Sequence, residues 1–113
     1  MKEFMFLYKG GDPTATRTPE EQKAVMALWG AWLGALGEKG NLVTGGVPLE
    51  WSGQRLKKDN VLTDIAASEL KELVSGYSIV KADSYAQAAA LARECPIFRN
   101  PGAYVEIRAV LPM

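Results

Sequence analysis

Seven side chains stand out as able to hold or act on a small molecule: Tyr8, Trp29, Trp32, Asp64, Tyr77, Glu106 and Arg108. Trp29 and Trp32 fall on one apolar stripe of a helix, where they either fill the core or wall a cleft between helix and sheet. Tyr8, Tyr77 and Tyr104 lie in strands, with hydroxyls that either orient a ligand or end in water. Glu106 and Arg108 share the face of the last strand opposite Val105 and Ile107. If Val105 and Ile107 pack on the helices, these two point toward a cleft between two copies of the chain, where a carboxylate and a guanidinium would either grip a polar ligand or form an interface or surface ion pair. Asp64 is a general base or, more simply, a turn or cap residue. Cys95, next to Pro96, reads as a buried and inert thiol. Lys57-Lys58 reads as a solvated pair at a hairpin tip.

Much chemistry is excluded outright. The chain has no histidine, which removes imidazole acid–base catalysis, Ser-His triads and histidine metal sites. One cysteine allows neither an intrachain disulfide nor a multi-cysteine zinc site. Gly10-Gly11 and Gly45-Gly46 are turn signals rather than phosphate cradles. No cofactor is called for. Thirteen basic residues balance thirteen acidic ones, which argues against nucleic acid as a partner.

The elements that must position these residues follow from length and pattern. At 113 residues the chain is expected to form a single domain over 1–113. Its composition, 48% hydrophobic and 23% charged, is that of an ordinary water-soluble protein. The opening residues lack the apolar run of a secretion signal. The longest uncharged stretch, Ala24–Gly37, is shorter than the roughly 20 residues of a membrane span. A cytoplasmic location with no membrane partner is expected.

Residues 3–9 alternate as a strand, with Phe4, Phe6 and Tyr8 on one face and Met5 and Leu7 on the other. Gly10-Gly11-Asp12-Pro13 reads as a loop. Thr18-Pro19-Glu20-Glu21 is a helix start with a capping box, and Gly40 suits the helix end, giving a helix over about 19–38. Its core stripe is Val25, Leu28, Trp29, Trp32, Leu33 and Leu36. The opposite face carries Ala27, Gly30, Ala31, Gly34 and Ala35, either a plain exposed face or a partner contact. A short strand follows at Leu42–Thr44. Val47–Lys58 and Val61–Thr63 read as a strand region and hairpin turning at Asp59-Asn60. Ile65–Ser75 is ambiguous, with a short helix around Ser68–Leu73. Gly76–Ala82 is a strand, 85–94 a second helix ended by Cys95-Pro96, and Ala103–Leu111 the last strand.

The order is βαββαβ with a hairpin insertion, the α+β pattern of a ferredoxin-like fold. Two helices cover one sheet face, yet the first strand is apolar on both. The simplest cover for the other face is a second copy of the chain, a homodimer forming a dimeric α/β barrel.

In these motifs the chain resembles the YCII-related proteins, in the subgroup carrying an Asp-Gly-Pro-Phe signature. The resemblance runs through Phe4-Met5-Phe6-Leu7-Tyr8, Thr18-Pro19-Glu20-Glu21, Gly40-Asn41-Leu42-Val43-Thr44-Gly45-Gly46, Leu62-Thr63-Asp64, Lys71-Glu72 and Gly76-Tyr77-Ser78-Ile79-Val80. It continues through the helix ending in Leu91-Ala92 and Cys95-Pro96 to Val105-Glu106-Ile107-Arg108. Of the signature, Asp64 remains, while Ile65, Ala66 and Ala67 replace Gly-Pro-Phe. The resemblance implies a ferredoxin-like dimeric barrel and little about activity, since most of the family is uncharacterised. Some relatives are proposed to use a His-Asp pair, and one acts as a dehydrochlorinase. The corresponding positions here carry Trp29 and Cys95, so that chemistry does not transfer.

Three functions remain: a dimeric small-molecule-binding domain, a cofactor-independent lyase or oxygenase acting on an aromatic or dicarbonyl compound, and a structural or regulatory module. An open pocket lined by Trp29, Tyr8 and polar groups favours the first two. A cleft filled by side chains favours the third.

Overall fold

A computed structural model describes residues 1–11 and 16–113. The expected loop at Asp12-Pro13 lies outside the described residues. Four strands form one antiparallel sheet: β1 (Lys2–Lys9), β2 (Leu42–Thr44), β5 (Gly76–Ala82) and β6 (Tyr104–Ala109), in the order β2-β5-β1-β6. Helices α1 (Pro19–Glu38) and α2 (Tyr85–Ala92) pack on one face of it. With the hairpin β3 (Gln54–Leu56) and β4 (Leu62–Asp64) set aside as a separate two-stranded sheet, this is the ferredoxin-like α+β arrangement.

Local chemistry explains the long helix. The Thr18 hydroxyl accepts from the Glu21 amide at 3.1 Å, and the Glu21 carboxylate accepts from the Thr18 amide at 3.3 Å, closing the capping box. At the far end Gly40 takes φ +78°, the left-handed conformation that only glycine adopts cheaply. The Asn41 and Gly40 amides then bond back to the Leu36 and Gly37 carbonyls, ending the helix in a Schellman turn. Buried Asn41 pins that end to β5 through its side-chain amide on the Lys81 carbonyl, 2.9 Å.

The core lies between sheet and helices. Phe4, Phe6 and Tyr8 of β1 are buried, as are Ser78, Val80 and Ala82 of β5. Trp32 and Leu36 meet them from α1, with Trp29 and Leu33 half-buried beside them. Leu28, expected on this stripe, is 39% exposed. It sits on the flank of α1 facing the 3₁₀ turn Pro96–Arg99, where it borders a shallow surface depression with Phe98 and Arg99. The small-residue face of α1, Ala27 through Ala35, is exposed, and nothing comes within 4 Å of where a Cβ on Gly30 or Gly34 would stand.

Two expected elements differ, and an ambiguous one is resolved. The strand region expected over 47–58 shrinks to Gln54–Leu56, with one isolated bridge from Pro48 to Gly76. Pro48 has no amide to donate to a ladder, and Gly53 weakens strand pairing. The hairpin does turn at Asp59-Asn60: Asn60 adopts φ +67°, and the Asp59 carboxylate accepts from the Val61 amide at 3.0 Å. The second helix stops at Ala92, and Cys95 is extended ahead of Pro96, which opens the 3₁₀ turn. The ambiguous segment forms a 3₁₀ helix over Ala67–Glu72.

Among the described residues, nothing is layered on the other sheet face. Met5, Leu7, Tyr77 and Ile79 stand there half-buried, ringed by Glu3, Lys81, Glu106 and Arg108. The molecule is accordingly a slab, 43 × 41 × 19 Å. Its radius of gyration is 15.5 Å, against about 13 Å for a compact chain of this length. Its accessible surface is 7889 Å², against about 6,100 Å² for a typical monomer of this mass. Among the described residues no helix is long and apolar enough to cross a membrane.

Candidate functional site

A cleft of about 690 Å³ opens between the N-terminal half of α1 and the end of the sheet where β1 finishes and β5 begins. Its apolar wall is built from Tyr8, Trp29 and Trp51. Its rim carries Arg17, Gln22 and Asn100. Each arrives by a different route. Tyr8 comes from the buried face of β1, Trp29 from the stripe of α1 and Trp51 from the loop after β2. Asn100 comes from the loop before β6, and Arg17 immediately precedes the α1 cap. Gly46 lets the β2 loop press against β5: its φ is +69°, and a Cβ there would overlap the Tyr77 carbonyl.

The wall is held by aromatic and hydrogen-bond contacts. Trp29 meets Tyr8 edge-on, ring centres 5.0 Å apart, and meets Trp32 edge-on at 5.8 Å. Trp32 in turn stacks on Phe6 at 6.4 Å. Edge-to-face and offset pairs at these separations are the favoured aromatic geometries. The Tyr8 hydroxyl donates to Ser78 Oγ at 2.7 Å, and Ser78 donates onward to the Gly45 carbonyl at 2.8 Å. Both polar groups are thereby satisfied in a fully buried position, and the chain fastens the cleft loop to the sheet. Burial holds the Tyr8 phenol far above the usual tyrosine range, with the Ser78 hydrogen bond pulling weakly the other way. It does not ionise under physiological conditions.

Cys95 lies beside this chain, 3% exposed. Burial pushes its thiol up to about 11, against smaller downward pulls from hydrogen bonds with the Ile97 backbone and Tyr8. Thiolate is the reactive form. A two-unit rise leaves about a hundredfold less of it at pH 8 than in an ordinary thiol. Alkylation by iodoacetamide at pH 8 is therefore expected to be at least that much slower on folded than on urea-unfolded protein. Comparable rates would show that Cys95 is neither buried nor raised.

The seven sequence-derived candidates divide among four places. Tyr8 and Trp29 line the cleft, and Tyr77 borders it at the start of β5, where strand alternation puts its side chain on the face away from the helices. Trp32 stands behind Trp29 in the core, its indole N–H donating to the Leu91 carbonyl at 3.2 Å, so it supports the wall without lining it. Asp64, Glu106 and Arg108 lie elsewhere. Asp64 ends the hairpin, exposed, and accepts from the Gln54 side-chain amide at 3.1 Å. Glu106 accepts from Lys9 Nζ at 3.2 Å on the uncovered sheet face, where Arg108 is also exposed. Strand register decides this: Glu106 pairs with Leu7 and Arg108 with Met5, so both point away from the helices.

Among the lining residues that escaped the sequence reading are Arg17, Gln22, Trp51 and Asn100. Trp51 had a signal, a large aromatic in a stretch punctuated by Pro48 and Gly53 that reads poorly as a strand. Arg17 and Asn100 are 83 positions apart and meet through a 2.7 Å hydrogen bond from Arg17 Nη2 to Asn100 Oδ1. No spacing rule joins them.

The sequence model of the YCII-related domain matches residues 3–113. No curated protein matches the chain.

Proposed function

Because the chain belongs to the YCII-related domain family, we propose that it is a single-domain, homodimeric, cytoplasmic small-molecule-binding protein, with its ligand held in the cleft between sheet and helices. The cleft itself carries this reading: about 690 Å³ is left open between Tyr8, Trp29 and Trp51 rather than filled by side chains. Ligand sites are concave, mostly apolar and carry a few placed polar groups, in roughly this size range. Among the described lining residues, the groups on offer are aromatic faces and hydrogen-bond donors, with Tyr8 locked in its neutral form. That lining suits binding better than proton transfer. A lone reduced cysteine fits a cytoplasmic protein.

The second copy belongs on the uncovered sheet face. The protomer exposes about 1,800 Å² more than a compact monomer of its mass. That exceeds the roughly 800 Å² each partner gives to a standard interface. The face has an apolar centre of Met5, Leu7, Tyr77 and Ile79 and a rim bearing both charge signs, which a twofold axis can set against itself.

A fragment screen by protein NMR tests the binding function, using the indole N–H signals of the three tryptophans. Hits are expected to move the Trp29 and Trp51 signals together and to be lost in Trp51→Ala. Hits that leave both signals in place, or no hits across a few hundred aromatic and aliphatic fragments, would remove the cleft as a ligand site.

A further inference from the structure

Resting on the reading of the cleft as a ligand site, we infer that its ligand is an aromatic carboxylate, with its ring against Trp29 and Trp51 and its carboxylate on Arg17. The lining is asymmetric. Trp29, Trp51, Val25 and Leu33, all half-buried, give the interior an apolar surface suited to a flat ring. The Tyr8 hydroxyl is turned away into Ser78, so Tyr8 also offers its ring rather than a polar atom. At the rim, among the described lining residues, charge resides on Arg17 alone.

The partner of Arg17 matters here. Nη2 donates to Asn100 Oδ1 at 2.7 Å, across the mouth from the opposite loop. An amide oxygen orients the guanidinium without neutralising it, and a guanidinium has five N–H donors in a planar fork. That fork matches the two oxygens of a carboxylate, and apolar walls beside it strengthen the attraction relative to open water. The overall charge of the chain is zero, so this preference is local rather than a general pull on anions. A phosphate is the poorer fit, because phosphate sites gather several cations or backbone amides around three oxygens.

The test compares cinnamate with cinnamamide, which has the same carbon frame and no charge, and with phenyl phosphate. Binding to the full chain is followed by the tryptophan indole signals in an NMR titration. Cinnamate is expected to bind about tenfold or more tighter than cinnamamide, the weight of a charged hydrogen bond over a neutral one. Arg17→Gln is expected to weaken cinnamate about tenfold or more and cinnamamide much less, so that the difference between the two disappears. Its unfolding midpoint should match wild type, since Arg17 is exposed. Trp51→Ala should weaken both ligands. Equal binding of cinnamate and cinnamamide, undiminished cinnamate binding in Arg17→Gln, or tighter binding of phenyl phosphate would overturn the carboxylate assignment while leaving the cleft a binding site. Failure of all three compounds to bind wild type would overturn the aromatic carboxylate, and together with an empty fragment screen it would overturn the cleft as a ligand site as well.

Discussion

Leu7→Asp is expected to convert a dimer into a folded monomer. Leu7 lies on β1 between Tyr77 of β5 and Glu106 of β6, at the centre of the uncovered sheet face. A twofold interface doubles every substitution, so the variant buries two new carboxylates, each within a register position of Glu106. Desolvating an unpaired carboxylate costs several kcal/mol, and like charges add to it. Against a standard interface, a double penalty of about 6 kcal/mol or more would weaken association by over four orders of magnitude. Within the protomer the same side chain is half-exposed, so the fold survives the change. Sedimentation at micromolar concentration should show wild type at twice the chain mass and the variant at the chain mass, with the same circular dichroism. Wild-type protein sedimenting as a monomer would remove the barrel. A dimeric Leu7→Asp would move the interface to another surface, of which the exposed Ala27–Ala35 face of α1 is the next candidate.

Phe6→Ala, one residue earlier on the same strand, should act on folding rather than association. Phe6 is 0% exposed and stacks on Trp32, which in turn braces Trp29 and the cleft wall. Removing a buried phenyl ring loses its transfer energy and leaves a cavity, together about 3–5 kcal/mol. A domain of this size has a total stability of roughly 5–15 kcal/mol, so a large share is lost. Urea unfolding should show a lower midpoint with an unchanged slope. A loss under about 1.5 kcal/mol would mean the core refills the space, against the close packing that burial here implies. The pair of substitutions also checks strand register, because adjacent residues on β1 are expected to fail in opposite ways.

Residues that interact with their near neighbours in sequence were legible without a structure. The Thr18–Glu21 capping box and Gly40 bound α1 because their partners lie within a few residues, so local chemistry suffices. The alternation of β1 sorted Phe4, Phe6 and Tyr8 from Met5 and Leu7, because a strand has a period of two whatever it pairs with, but the helices decided that the first set enters the core. From these came the βαββαβ order, the double-sided apolar strand and the family resemblance. The cleft was different. Trp29 and Trp32 are three positions apart on one stripe, yet one faces the cavity while the other turns into the core and donates to the Leu91 carbonyl. Glu106 and Arg108 were separated from the cleft by strand register, and Asp64 by a hairpin that belongs to a different sheet. Arg17, Trp51 and Asn100 come together only when two loops close over the end of the sheet, one of them held by Ser78 through the Gly45 carbonyl. Contacts between segments 33 and 83 residues apart depend on how layers stack, and layer stacking leaves no periodic trace in the chain.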